Sequence, residues 1–117
     1  NPGNTLAFDG TDDHVNLGTL SPAGNFSTGF TYMGWVKWSS FKSWARLLDF
    51  GNGAASNNIL LANNSTSNNL QFDVYNGGTP GNIITGNIIP LNQWVHIAAT
   101  VSSAGSAKIY INGYTKA

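Results

Sequence analysis

Cysteine is absent from these 117 residues, and charged side chains are scarce. The lack of cysteine excludes disulfides and thiolate metal sites, so packing must stabilise the fold. Charged residues make up 9% of the chain and the net charge is zero. No basic patch is therefore available to neutralise phosphates, and we expect no nucleic-acid partner. No apolar run approaches the roughly 18 residues of a spanning helix, and we expect no membrane span.

Glutamate is also absent, and asparagine takes the place of charge in keeping the surface polar. All five acidic residues are aspartates, whereas there are 16 asparagines. A surface of amide and hydroxyl groups is common in exported bacterial β-proteins and in modules of long surface chains, although compositional drift gives the same pattern. We expect an extracellular or cell-surface location.

Glycine, asparagine and serine interrupt the chain about every eight to twelve residues, which is typical of an all-β sandwich or barrel. The hydrophobic content of 41% is enough for the core of one domain spanning residues 1–117. We predict nine strands, at Leu6–Asp9, His14–Leu17, Phe30–Trp38, Leu47–Phe50, Asn58–Ala62, Leu70–Tyr75, Ile83–Thr85, Trp94–Val101 and Lys108–Asn112.

Alternation within the strands predicts which side chains enter the core. In residues 70–75 the even-numbered side chains are apolar, which leaves Gln71, Asp73 and Tyr75 pointing outward. In residues 95–101 the odd-numbered side chains form the apolar face. The segment FTYMGWVKW, residues 30–38, has apolar groups on both faces, which is typical of a strand covered on both sides. Asn112-Gly113 indicates a turn into a further strand.

Three segments carry a resemblance to a known family. In this order, LAFDGTDDHVNLG, FTYMGWVKW and NQWVHIAATVSSAGSAKIYINGYTKA resemble the laminin-G-like domains of the concanavalin A-like lectin/glucanase superfamily, most closely the bacterial group. The Trp-x-His strand followed by Tyr-x-Asn-Gly is the most specific part. The resemblance implies an all-β fold, a two-sheet antiparallel jelly-roll sandwich.

In that family more strands follow the Asn-Gly turn. We therefore expect a sandwich that lacks its C-terminal strands in this chain. Further chain, a strand-completing partner chain or self-assembly would complete it. The alternative is a shortened variant that covers its edges with loops.

The missing glutamates argue against catalysis. Glucanases of the superfamily place two glutamates and an aspartate on one strand face, and retaining glycosidases need a carboxylate pair about 5 Å apart. Ser43, His96 and Asp49 can be combined on paper as a catalytic triad, but no nucleophile-elbow motif supports them. We expect a protein that is not an enzyme.

Asp9, Asp12 and Asp13 lie within five residues of one another, in the motif DGTDDH. Many laminin-G-like domains bind calcium through aspartates and backbone carbonyls, so these residues are candidate ligands for a calcium cofactor. The spacing is not that of an EF-hand. Turn formation explains the same residues, and we favour this second interpretation.

Sugar binding requires aromatic faces for stacking and polar groups for the hydroxyls. The stacking candidates are Trp38, Trp44, Tyr75 and Tyr114. The hydrogen-bonding candidates are Gln71, Asp73 and Asn76. Trp44 is the foremost of these, because it lies in an apparent loop. We expect Trp35 and Trp94 in the core, and a structural hydrogen bond from His96.

The combined pattern favours a non-catalytic lectin-like recognition or adhesion module with a glycan or glycoprotein as its partner. The alternative is a structural subunit of an extracellular filament, sheath or appendage that assembles by sharing strands. Aromatic loop residues favour the first function, whereas the low charge and the expected open edges favour the second.

Overall fold

The computed structural model describes residues 3–18, 28–51 and 56–117, and these residues contain eight β-strands. The strands are β1 (Gly29–Val36), β2 (Arg46–Phe50), β3 (Ile59–Asn63), β4 (Leu70–Asn76), β5 (Thr79–Ile84), β6 (Val95–Ser102), β7 (Ala107–Ile111) and β8 (Tyr114–Thr115). In this part of the chain no helix is long and apolar enough to cross a membrane.

The strands form two four-stranded sheets. Sheet one has the order β1-β6-β7-β8 and sheet two has the order β2-β3-β4-β5. Neighbouring strands within each sheet are antiparallel. The all-β, two-sheet antiparallel sandwich of jelly-roll type is confirmed.

The core lies between the sheets because alternate side chains of each strand are apolar. Leu61 and Phe72 are opposite each other in sheet two, and Ile97 and Ile109 are buried in sheet one. Among the residues that the structure describes, the buried cluster comprises Trp38, Leu48, Leu61, Leu70, Phe72, Ile89, Val95, Ile97, Ala99, Ile109 and Ile111. The alternation predicted for residues 70–75 and 95–101 is therefore confirmed.

The final hairpin follows from two residues with positive φ. Asn112 and Gly113 have φ angles of 50° and 84°, the left-handed conformation that a two-residue hairpin turn with matching twist requires. The chain then returns as β8, so the further strand predicted after this turn is confirmed. Ile111 of β7 pairs with Tyr114 of β8.

The two strands predicted near the N-terminus are wrong. Residues 6–9 and 14–17 lie outside the strands, and their side chains are exposed, including those of Leu6, Phe8, Val15 and Leu17. Their apolar alternation is that of a strand, but a strand also needs a partner for its backbone groups. Among the described residues, none forms a ladder with these segments.

The prediction that residues 30–38 are covered on both sides is also wrong. Tyr32 and Val36 pack on the core, whereas Met33 and Trp35 point away from it and are 63% and 53% exposed. Trp35 is therefore not a core residue. β1 has one buried and one open face, because the other sheet packs on one side only.

Candidate functional site

Trp44 lies in the loop of residues 39–45 between β1 and β2, called here the Trp44 loop. Its side chain is 41% exposed. Its φ of 55° lies in the left-handed region, where a bulky residue is an outlier that the surrounding structure must stabilise. The backbone N–H of Trp44 donates to the carbonyl of Ser65 at 3.0 Å, which ties the loop to the β3–β4 connection.

Asn63, the last residue of β3, holds the Trp44 loop from inside the protein. This fully buried side chain accepts a hydrogen bond at Oδ1 from the N–H of Ala45, at 2.8 Å. Its Nδ2 donates to the carbonyls of Lys42 at 2.9 Å and Ser65 at 2.6 Å. Because the amide bonds both sides of the loop tip, the Trp44 ring extends from a fixed support.

Asn64, Gln71 and Asp73 form a hydrogen-bonded chain on the outward face of sheet two. Nδ2 of Asn64 donates to Oε1 of Gln71, and Nε2 of Gln71 donates to Oδ1 of Asp73 at 2.7 Å. Gln71 and Asp73 point outward as predicted, yet they are only 5% and 2% exposed. In this conformation their neighbours shield them, and their contact with a glycan stays a prediction.

The carboxyl of Asp73 has an altered acidity. Burial raises the pKa of this group above its ordinary value, because the ionised form loses hydration. The hydrogen bond from Gln71 acts in the opposite direction and lowers the pKa. The net rise shows that desolvation outweighs the hydrogen bond.

The remaining predicted ligand-binding residues lie at the other end of β4. Tyr75 is half-buried, and Asn76 is exposed at the end of the strand. Gln71 and Tyr75 are four positions apart along the strand, or about 13 Å. The structure thus brings Gln71 toward the Trp44 loop through Asn64, and it places Tyr75 and Asn76 apart from that group.

The other two predicted stacking residues, Trp38 and Tyr114, differ in their exposure to solvent. Trp38 is buried in the core and forms an isolated bridge with Leu91, so the prediction of an available stacking ring there is wrong. Tyr114 is exposed on β8 of sheet one, whereas the Trp44 loop is held by the β3–β4 connection of sheet two. Trp94 is half-buried.

Asp9, Asp12 and Asp13 bring one carboxylate oxygen each within 4.8 Å of the others, on the exposed surface. Two of these carboxylates also stabilise the turn. Oδ2 of Asp13 accepts from the N–H of Asp9 at 2.8 Å, and Oδ1 of Asp9 accepts from the N–H of Thr11 at 2.7 Å. Calcium takes oxygen ligands at about 2.3–2.6 Å, so oxygens on one ion lie within roughly 5 Å of each other. The arrangement of the three carboxylates is compatible with a bound calcium ion, and the turn explains it equally well.

The three residues of the hypothetical triad are not brought together. His96 lies on sheet one, where its ring meets that of Trp35. Asp49 lies on sheet two, and its Oδ2 accepts from Nη1 of Arg46 at 2.6 Å. The two side chains project from different sheets. The carboxylate of Asp49 is therefore not placed to orient the His96 imidazole as a triad requires.

Sequence reasoning missed the exposed Trp35. The signal was present in the alternation of β1, because Trp35 shares its face with Thr31 and Lys37, whereas Tyr32 and Val36 share the other face. Polar residues on the Trp35 side indicate the solvent face. The size of the indole favoured a core position and obscured this pattern.

A cleft opens between the two sheets on the side of β5. Its volume is about 470 Å³, and its apolar lining comes from both sheets, including Phe72, Val74, Ile83, Val101 and Ala107. These side chains all point toward the space between the sheets, so the cleft marks the side on which the core is open to solvent.

The described residues form an antiparallel β-sandwich with aromatic rings exposed on its surface. The family model of Laminin_G_3, described as concanavalin A-like lectin/glucanases superfamily, matches residues 9–117. The chain therefore belongs to this family. Domains of this kind are generally binding modules without catalytic activity. No curated protein and no solved structure matches the chain.

Proposed function

We propose that this protein is a non-catalytic lectin-like recognition or adhesion domain that binds a glycan or glycoprotein, and that it acts outside the cell or on its surface. The membership of the family fits a lectin-like or binding module. The low charge and the many asparagines agree with the polar, uncharged surface of an exported β-domain.

The exposed Trp44 on its anchored loop is the observation that carries this proposal. The backbone that carries the indole is held by the buried amide of Asn63, so the loop loses little freedom when a sugar ring stacks on Trp44. The strained backbone conformation is kept at a residue whose side chain is still 41% exposed, so the ring stays accessible to a ligand. The neighbouring amide of Asn64 supplies a polar group at the same end of sheet two.

A panel of immobilised glycans tests the proposal. We expect the protein to bind a subset of the panel, and we expect Trp44→Ala to weaken that binding by at least about tenfold. Tyr114→Ala is the matched control, because it removes an exposed aromatic ring from the other sheet and should leave the binding unchanged. Equal loss in the two variants, or no binding to any glycan, contradicts the proposal. Antibody labelling of intact source cells tests the location.

Calcium is the cofactor that the cluster of Asp9, Asp12 and Asp13 would hold. The three carboxylates supply hard oxygen ligands, and turn formation uses only one oxygen of Asp9 and one of Asp13. Calorimetric titration with calcium chloride should show a site that Asp12→Asn removes and Asp49→Asn retains. Absence of heat above buffer indicates that the aspartates serve the turn alone.

The alternative function, a subunit that assembles by sharing strands, is favoured by a separate observation. Residues 6–17 expose Leu6, Phe8, Val15 and Leu17 in a strand-like alternation, and the cleft beside β5 opens the core. Sedimentation velocity over a range of concentrations tests it. Assembly should occur without a glycan and should be reduced by Phe8→Asp but not by Asn4→Asp. A monomer at all concentrations excludes this function.

A further inference from the structure

Three hydrogen-bonded side chains connect a buried carboxyl of sheet two to the surface beside the Trp44 loop. They are Asp73, Gln71 and Asn64, and we call them the Asp73 network. Asp73 and Gln71 are buried, whereas Asn64 is partly exposed in the connection between β3 and β4. Asn64 is therefore the member of the network that a molecule from solution can touch.

The surface end of the network lies opposite Trp44. Two backbone hydrogen bonds continue the pairing of β2 with β3 beyond the start of β2. The N–H of Asn63 donates to the carbonyl of Ala45 at 3.3 Å, and the N–H of Trp44 donates to the carbonyl of Ser65 at 3.0 Å. Segments paired in this way run about 5 Å apart. A sugar that stacks on Trp44 is therefore within reach of the Asn64 amide.

The buried end of the network sets its polarity. A carboxylate has acceptor oxygens only, so Gln71 must turn its Nε2 toward Asp73, and it donates to Oδ1 of Asp73 at 2.7 Å. The Oε1 of Gln71 then faces Asn64 and accepts from its Nδ2. Because nitrogen and oxygen lie on opposite sides of a planar amide, each hydrogen bond fixes the direction of the next amide.

The surface end of the network consequently presents an acceptor. With Nδ2 of Asn64 engaged on Gln71, Oδ1 of Asn64 points away from the network. Among the described residues none donates a hydrogen bond to this oxygen, and the oxygen is not enclosed by protein. A carbonyl oxygen accepts from hydroxyl and amide groups, whereas an ether or carboxylate oxygen has no proton to offer it.

We propose that Asp73, acting through Gln71, holds Asn64 with its Oδ1 toward the bound glycan, and that the glycan donates a hydrogen bond to this oxygen. The donor is an O–H or N–H group beside the ring that stacks on Trp44. The inference rests on the proposed lectin function and adds a rule of specificity to it. Asp73 and Gln71 are positioning residues that the glycan does not touch, and Asn64 selects hydroxyl or acylamino groups over methoxyl and carboxylate groups.

Binding of chitotriose and of cellotriose tests the rule, each against its fully methylated form, which keeps the oxygen acceptors and has no donor. We expect the protein to bind the parent sugar at least about tenfold more tightly than the methylated one. Asp73→Asn should reduce this ratio at least about threefold, because the network can then reverse and turn Nδ2 of Asn64 outward. Binding of chitotriose alone identifies an N–H donor, and binding of both sugars identifies an O–H donor.

The matched control is Asp49→Asn, which changes a carboxylate outside the network and should leave the ratio unchanged. Asp49 accepts from Arg46 and takes no part in the hydrogen bonds to Asn64. An unaltered or raised thermal transition of each variant shows that it is folded. A folded Asp73→Asn variant with the ratio of the original protein overturns the proposal, and so does an equal loss of the ratio in Asp49→Asn.

The side-chain amide signals in a nuclear magnetic resonance spectrum test the network without any glycan. Asp73→Asn should shift the NH2 signals of Gln71 and also those of Asn64, which forms no hydrogen bond with Asp73. In a Gln71→Met background the same change should leave the Asn64 signals in place. Unchanged Asn64 signals in the single variant, or an equal shift in the Gln71→Met background, overturns the proposal. A protein that binds no glycan contradicts the lectin function and with it the assigned donor, whereas these signals still show whether Asp73 orients Asn64.

Discussion

Asn63 should contribute more to stability than other asparagines of the chain, although it is one residue in a polar-rich sequence. Replacement by alanine removes three well-formed hydrogen bonds, of 2.6, 2.8 and 2.9 Å, from a fully buried position. Nδ2 also lies 3.3 Å from the carbonyl of Ser67. The Ser65 carbonyl still accepts a hydrogen bond from the N–H of Trp44 in this variant. Loss of the bond from Asn63 to Ser65 therefore costs less than loss of the other two.

The magnitude follows from these bonds. At about 1 kcal/mol for each bond that is lost, with an added penalty where a buried group has no new partner, Asn63→Ala should destabilise the fold by about 3 kcal/mol. For a domain of this size that corresponds to a decrease in Tm of roughly 12 °C. Urea unfolding should show a midpoint lower by about 1.5 M at an m-value of roughly 2 kcal/mol/M.

Two further variants show whether the reasoning is right. Asn16→Ala removes a single exposed bond, from the N–H of Gly18 to Oδ1, and should change stability by less than about 0.5 kcal/mol. Asn63→Asp keeps the acceptor for Ala45 but turns an oxygen toward carbonyl oxygens, so it should destabilise at least as much as alanine. A loss below about 1 kcal/mol in Asn63→Ala would refute this account of the loop.

Two other predictions concern Asp73 and Gly29. Since burial raises the pKa of Asp73, the folded state binds its proton more tightly than the unfolded state, and stability falls as pH rises through that pKa. Asp73→Asn should therefore stabilise the protein at neutral pH, and this gain in stability should become smaller in acid. Thermal unfolding of both proteins at several pH values measures the effect, and a difference in Tm that does not change with pH contradicts it. A Cβ at Gly29 would lie 2.7 Å from the Val101 carbonyl oxygen at a φ of 110°, so Gly29→Ala should cost about 2 kcal/mol. Gly81→Ala, with its nearest atom at 3.6 Å, should be close to neutral, and equal urea midpoints for the two variants would argue against a steric cause.

The strands of the sandwich could be predicted from the sequence because local pattern and tertiary environment agree there. In β4 the alternation of residues 70–75 placed Leu70 and Phe72 in the core. The predicted strand of residues 83–85 was too short, because β5 begins at Thr79 and its first residues, including Pro80 and Gly81, are poor strand formers. Pairing with β4 outweighs that weak propensity.

The candidate site could be predicted only in part. Trp44 was identified from an exposed-looking loop, but its positive φ and its anchor Asn63 were not, because the anchor lies far from it in the sequence. The burial of Gln71 and Asp73 was equally hidden, because alternation gives the direction of a side chain and not the amount of protein around it. The large side chain of Trp35 suggested a position in the core. Its place in the alternation of β1 instead directs it to the solvent face.

The sequence by itself determined the fold class, the absence of disulfides and the faces of β4 and β6, because these depend on composition and on a period of two along the strand. Only the tertiary structure decided which apolar segments pair with another strand in a sheet. Residues 6–9 have the strand pattern, but they form no ladder with the described residues. Residues 79–84 have a weak strand pattern, but every one of them pairs with a residue of β4. A strand is stabilised by hydrogen bonds to another strand, so its formation depends on residues that its own sequence does not contain.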